Sequence, residues 1–331
     1  MAIVIHAAAR AATTPVAAVF LLLGPAAGVA NAAAFPERPV RVLAASAAGG
    51  GTDIIARLLA QGLTDLWGQQ VLVDNRPGGG GVIATDIAAK AVPDGHTLLM
   101  QSLGITFAPA LYKRLPFDLE RDLAPVVIVG SQPFVLAVHP SVSAKSVSEL
   151  VQLAKARPGE LRFGSGGVSG AAHLGMELFR VTAGVDIVHV PYKGTGPGTA
   201  GLLAGEVQML IAGIGTLMPH ARAGRVRALG VTGAKRSAAA ADMPTLSEAG
   251  LPGYEFDVWY GVFAPSKMTR NLLARVNADI NATLGNPEIA RRFAANGVDV
   301  IGGTLQQAGA YLRSELAKWT RVIREAGIRA D

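Results

Sequence analysis

Arg41 to Asp53 reads RVLAASAAGGGTD, a short strand that runs into three consecutive glycines and then a helix. The first turn of a helix leaves several backbone N–H groups without partners, and the helix dipole adds partial positive charge there. Glycines let a ligand come close to that backbone, so an anion such as a carboxylate can be held with no arginine at all. Phe163 to Gly170, FGSGGVSG, repeats the arrangement in the second half of the chain. Two helix N-termini facing each other across a cleft suit a ligand with two acidic groups, or with one acidic and one polar end. The alternative for the first segment alone is a tight strand-to-helix turn with a threonine cap.

Strands alternate with helices on both sides of these loops, which argues for an α/β protein with largely parallel sheets. Strands are expected at Val40 to Ala44, Gln70 to Asp74, Thr97 to Gln101, Val126 to Val129 and Phe134 to Val138. Others are expected at Arg162 to Gly164, Ile187 to Val190, Val207 to Ala212, Arg227 to Thr232 and Phe256 to Phe263. Thr52 or Asp53 is expected to cap a helix whose apolar face is Ile54, Ile55, Leu58, Leu59, Leu63 and Leu66. Further helices are expected near Val82 to Lys90, Ser146 to Ala156, Ala171 to Thr182, Pro197 to Ala204, Asn271 to Leu284 and Leu305 to Ala326. The pattern restarts near residue 140 and another extended segment comes near 260, as in a chain that crosses to a second lobe and returns.

The 331 residues, 50% hydrophobic, suffice for one large domain or two ordinary ones. The first 34 are of a different kind: Arg10, then the apolar run Pro15 to Leu23, then small residues ending in Ala30-Asn31-Ala32. That is the layout of a secretory signal peptide cleaved after Ala32 or Ala34. The apolar run is too short for a membrane-spanning helix, and Gly24-Pro25 interrupts it. There are no cysteines, so disulfides and thiol catalysis are excluded. Removing Arg10 with the signal leaves 29 − 24 = +5 from 30 basic and 24 acidic residues. The basic residues are scattered and aromatics are only 5%, so no nucleic-acid partner is expected.

Gly79 to Ala84 fits a permissive dinucleotide fingerprint, but no acid stands at the end of the following strand, Met100-Gln101-Ser102, to hold a ribose. The six histidines show no metal-type spacing, so no metal is expected. His173, in the first turn after the second glycine loop, either helps bind an anion or packs locally. Ser165 lacks the nucleophile-elbow pattern, and no Walker-type lysine follows a glycine loop. Lys193 is either solvated or lines the cleft. Without an acid, base and nucleophile together, the chain reads as a binder that needs no cofactor rather than as an enzyme.

An ordered set of segments resembles the Bug receptors of tripartite tricarboxylate transporters. It includes Phe35-Pro36, Arg38-Pro39-Val40, Ala47 to Asp53, Val73 to Gly78, Pro93-Asp94-Gly95, Pro109 to Tyr112, Val138 to Ser141, His189 to Gly194, Ala249 to Tyr254 and Trp259 to Pro265. The resemblance implies a type II periplasmic binding protein, a Venus flytrap of two α/β lobes joined by two hinge strands. Lobe 1 would be residues 35–136 plus 262–331 and lobe 2 residues 137–261. It implies a periplasmic, monomeric receptor that passes a small organic carboxylate to membrane permease subunits, or else reports it to a signalling partner. The matching binding positions are Ala48, Gly49, Gly50, Gly51, Thr52, Ser102, Thr106, Ser165, Gly166, Gly167, Ser169 and His173. Relatives often carry Pro-Phe where Ala45-Ser46 stands here, and Phe-Asp where Ile211-Ala212 stands. The missing carboxylate turns the expectation away from amino acids and toward simple or aromatic carboxylates.

Overall fold

In the computed structural model residues 1–4, 35–167, 170–192 and 195–328 are described. The signal-peptide reading covers residues 1–34, of which 5–34 lie outside them, as do Ser169 and Lys193. Among the described residues no helix is long and apolar enough to cross a membrane.

The strands are β1 (Val40–Ala44), β2 (Val71–Asn75), β3 (Thr97–Ser102), β4 (Leu123–Val138) and β5 (Arg162–Ser165). They continue with β6 (Val188–Pro191), β7 (Met209–Gly213), β8 (Arg227–Val231), β9 (Asp257–Pro265) and β10 (Asp299–Gly302). The helices are α1 (Gly51–Trp67), α2 (Val82–Ala89), α3 (Ala108–Leu111), α4 (Leu119–Asp122), α5 (Val147–Ala156) and α6 (Ala171–Ala183). After them come α7 (Thr195–Ala204), α8 (Ile214–Arg222), α9 (Arg270–Leu284), α10 (Pro287–Ala295) and α11 (Leu305–Ala326).

β1 lies between β2 and β3, all parallel, and β9 runs antiparallel to β3. β4 is one strand of 16 residues rather than the two short ones expected. Gly130 and Pro133 look like breakers in the sequence, but they fall where the strand changes partners. Up to Pro133, opposite Asp257, β4 pairs with β9; from Phe134, opposite Gly213, it pairs with β7 and β8. β5 lies between β6 and β7, again parallel. The return crossing comes at Phe256, whose N–H donates to Thr232 O (2.8 Å) just before β9 begins. Two α/β layers therefore share a pair of antiparallel connecting strands, the hinged two-lobe architecture expected.

The topology aims the loops. β3 and the first part of β4 run the same way, so β1 and β3 end on the side of the Pro133–Phe134 junction. β7 runs against the second part of β4, so β5, β6 and β7 end at that junction too. Both glycine loops leave strands at these converging ends.

α1 buries Ile55, Leu58, Leu59 and Leu63 against Val42, Val262, Ile280 and Phe293, while Leu66, expected on that face, is 50% exposed. Each such buried side chain contributes about 1.5–3 kcal/mol. On the opposite side α11 inserts Trp319 edge-on between Phe107 (4.9 Å between centroids) and Phe256 (5.8 Å).

Asp257, opposite Pro133 at the crossing, has a buried Oδ1 with no hydrogen-bond partner among the described residues. Burial first, and then Glu255, push its carboxyl up to about 7, against the pull of Lys318. A carboxyl whose folded pKa lies above its unfolded value contributes most at low pH and loses that contribution as pH rises from about 4 to 7. Asp257→Asn is expected to stabilise the chain by about 1–3 kcal/mol at pH 8 and by little at pH 4, read by urea unfolding at both. An equal effect at the two pH values would contradict this.

Candidate functional site

The first glycine loop is braced from inside. Gly49 has φ +79°, a left-handed conformation, and Gly50 is the N-cap of α1, with no side-chain cap. Thr52 and Asp53, expected as caps, sit in the first turn instead. Asp53, 2% exposed, accepts from Gly49 N at Oδ2 (2.8 Å), and at Oδ1 from Asn75 Nδ2 (2.9 Å) and Arg57 Nε (2.9 Å). Its own N–H donates to Ser46 Oγ (3.1 Å), and Gly50 N to Ala47 O (3.0 Å). Burial alone would raise the Asp53 carboxyl, but bonds from Arg57, Gly49 and Asn75 outweigh it and hold it below the ordinary range. The cradle is thus narrower than the glycine run suggests, because the protein's own carboxylate occupies Gly49. What stays open is Gly51 N and Thr52 N, which have no acceptor among the described residues, with Ala48 and Gly51 exposed.

Behind Gly51 stands Tyr260. A Cβ on Gly51 would lie 2.6 Å from Tyr260 Oη, which donates to Gln132 Oε1 (3.2 Å). Gln132 Nε2 donates to Asn296 O (3.0 Å) and lies 3.6 Å from where a Gly213 Cβ would be. That chain links the first loop to the crossing strand and to the start of α8. Ser102, at the end of β3, is half-buried with its N–H on Gln101 Oε1 (2.9 Å). Thr106 is fully buried and its hydroxyl donates to Leu103 O (2.7 Å), tightening the turn after β3.

The second loop starts at Ser165, which is fully buried with Oγ on Gly167 and on His189 Nε2 (2.6 Å). Gly170 N donates to Gly167 O (3.4 Å), and Gly170 is the N-cap of α6. Ala171 N and Ala172 N have no acceptor among the described residues. His173, 5% exposed, stacks on His189 at 3.9 Å, and Glu177 beside it is held by Arg180 (2.7 Å). Burial first, then the neighbouring His189 and Arg180, push the His173 imidazole down to about 4. It is therefore a neutral ring at physiological pH.

A histidine held neutral costs nothing above its unfolded pKa of about 6.5 and destabilises the fold as pH falls through 6.5 toward 4. His173→Phe is expected to remove about 2–3 kcal/mol of acid sensitivity across that window, measured as the difference in unfolding free energy at pH 7.5 and 4.5. An unchanged difference would contradict the assignment.

Asp53, Gln132, Tyr260 and His189 were not among the expected site residues. Asp53 lies inside the quoted motif, but its inward turn depends on Asn75 arriving from β2. His189 reaches Ser165 only through the parallel pairing of Phe163 with His189. Among the described residues no group of three potential ligands converges to hold a metal.

The family model for the tripartite tricarboxylate transporter family receptor matches residues 55–328. Protein BugT of Bordetella pertussis is 36% identical over 313 residues, 94% of this chain and 96% of that protein. An R. palustris protein solved with adipate is 34% identical with a TM-score of 0.75, over 89% of this chain and 99% of that one. MatC from Rhodopseudomonas palustris, solved with bound malate, is 30% identical with a TM-score of 0.71, over 87% of this chain and all of that one (100%). The fold is that of the periplasmic binding proteins, and the chain belongs to the tripartite tricarboxylate transporter receptor family.

Proposed function

We propose that this chain is a periplasmic, monomeric receptor that captures a small organic dicarboxylate between its lobes and delivers it to the membrane subunits of a tripartite transporter. The lobes are residues 35–136 plus 262–331 and residues 137–261, hinged on β4 and β9. One observation carries the reading: two glycine loops leave strands that end at one junction, and each opens a helix whose first amides have no acceptor among the described residues, Gly51 and Thr52 on one and Ala171 and Ala172 on the other. Such amides hold carboxylate oxygens without a charged side chain. The relatives solved with adipate and malate support a diacid. Ala212 is fully buried and offers no carboxylate to a ligand ammonium, which favours acids without an amine.

Binding to the folded state raises its stability by about 2.7 kcal/mol at 100 times Kd. A thermal-shift panel of adipate, malate, citrate, benzoate, glutamate, a sugar and a peptide is expected to give its largest rise with an amine-free dicarboxylate. A rise with a sugar or a peptide and none with any acid would overturn the reading.

A further inference from the structure

Among the described residues Ser165 Oγ meets three polar groups, and it has one proton to give. It lies 2.9 Å from Gly167 O, 3.2 Å from Gly167 N and 2.6 Å from His189 Nε2. The amide can only donate, so Oγ accepts there. With the hydroxyl proton on Gly167 O, His189 as the Nε2–H tautomer donates to Oγ and every member of the node is satisfied. With the hydroxyl proton on Nε2 instead, Gly167 O keeps only the longer bond from Gly170 N (3.4 Å), so the first arrangement is the better satisfied.

The ring is held for this task. Parallel pairing of β5 with β6 sets His189 beside Phe163, and the two rings stack at 4.9 Å and 22°. Its other stacking partner is His173, in the first turn of α6, at 3.9 Å and 19°. Burial holds the His189 imidazole below its ordinary pKa. The node closes on Gly167, whose φ of +141° marks the bend of the loop, and Gly167 O in turn accepts from Gly170 N at the cap of α6.

We propose that His189 is a positioning residue for ligand capture: through Ser165 Oγ it sets the Gly166–Gly167 bend that aims the start of α6 at the cleft. The proposal rests on the receptor reading for its ligand, and on the hydrogen-bond node for its geometry. Ser165 is fully buried, so the pair acts through the backbone rather than by touching the acid.

Two substitutions separate the ring's packing from its donor. His189→Phe keeps a stacking ring and loses the N–H. His189→Gln places an amide N–H at the reach of Nε2 and loses the ring. With adipate and malate as probes in calorimetry, His189→Phe is expected to bind about 10-fold more weakly or worse. His189→Gln is expected to stay within about 3-fold of wild type although it melts earlier. The reverse order, with Phe at wild-type affinity and Gln weakened in step with its melting temperature, would make the ring mere packing and overturn the proposal.

The ligand-free protein supplies an independent readout. The ¹⁵N amide resonance of Gly167 should move in His189→Phe and return toward its wild-type position in His189→Gln. A Gly167 resonance unmoved in both variants also overturns the proposal. If wild type binds neither acid, the dicarboxylate reading falls, while Gly167 still decides whether His189 holds the bend.

Discussion

Glu315→Ala is expected to lower the unfolding free energy by about 3–5 kcal/mol, the range seen when one partner of a buried charged network is removed. Glu315 is 5% exposed on α11, and its Oε2 accepts from two fully buried indoles, Trp259 Nε1 (3.1 Å) on β9 and Trp319 Nε1 (2.9 Å) on α11. Its Oε1 meets Lys318 Nζ at 2.6 Å. Alanine leaves two indole N–H groups buried without an acceptor, at about 1–3 kcal/mol each, and opens a void beside them. Glu315→Gln keeps an oxygen for the indoles and should recover half or more of the loss. Urea unfolding monitored by tryptophan fluorescence reads both variants, and a loss below about 1 kcal/mol for alanine would contradict the network's role.

Gly51→Val is expected to weaken binding of a dicarboxylate by roughly 100-fold or more. Its Cβ would stand 2.6 Å from Tyr260 Oη, and Tyr260 cannot easily retreat, being 4% exposed with its hydroxyl on Gln132. The added methyls would also cover the exposed amide at the start of α1, the approach that only a glycine leaves open. The same crowding costs the fold about 1–3 kcal/mol, so affinity is to be compared in variants shown to be folded at the assay temperature. Gly68→Ala is a control for glycine loss far from the cleft: no atom lies within 4 Å of the added Cβ there, and its left-handed φ of +63° makes it, too, cost stability without touching the ligand. Calorimetric titration with adipate separates them, and a Gly51→Val protein binding as wild type would place the acid elsewhere.

Most of the fold could be read from local pattern. Alternating strands and helices, and the apolar faces of α1 and α11, follow from periodicities that any buried element must carry. β4 could not be read as one strand, because Gly130 and Pro133 interrupt its pattern where it passes from one sheet to the other. α8, α10 and β10 escaped notice: β10 is four residues with Val300 and Ile301 exposed, and α8 carries Pro219 within it.

The site was readable at its glycines and opaque at its braces. A run such as Gly49-Gly50-Gly51 announces close backbone approach by itself, whereas Asp53 bonding back to Gly49 depends on Arg57 and on Asn75 from another strand. The Gln132–Tyr260 link spans 128 positions of sequence. His189 and Ser165 are 24 apart and meet only through strand register. Spacing along one chain holds no trace of such partners until the sheets are paired.

An amide-resolved ¹⁵N titration with adipate bears most directly on how the acid is held. The signals of Gly51, Thr52, Ala171 and Ala172 are expected to shift together and saturate at one affinity, with each pair reporting from its own lobe. Saturable binding that leaves these four amides still, while signals elsewhere move, would contradict it.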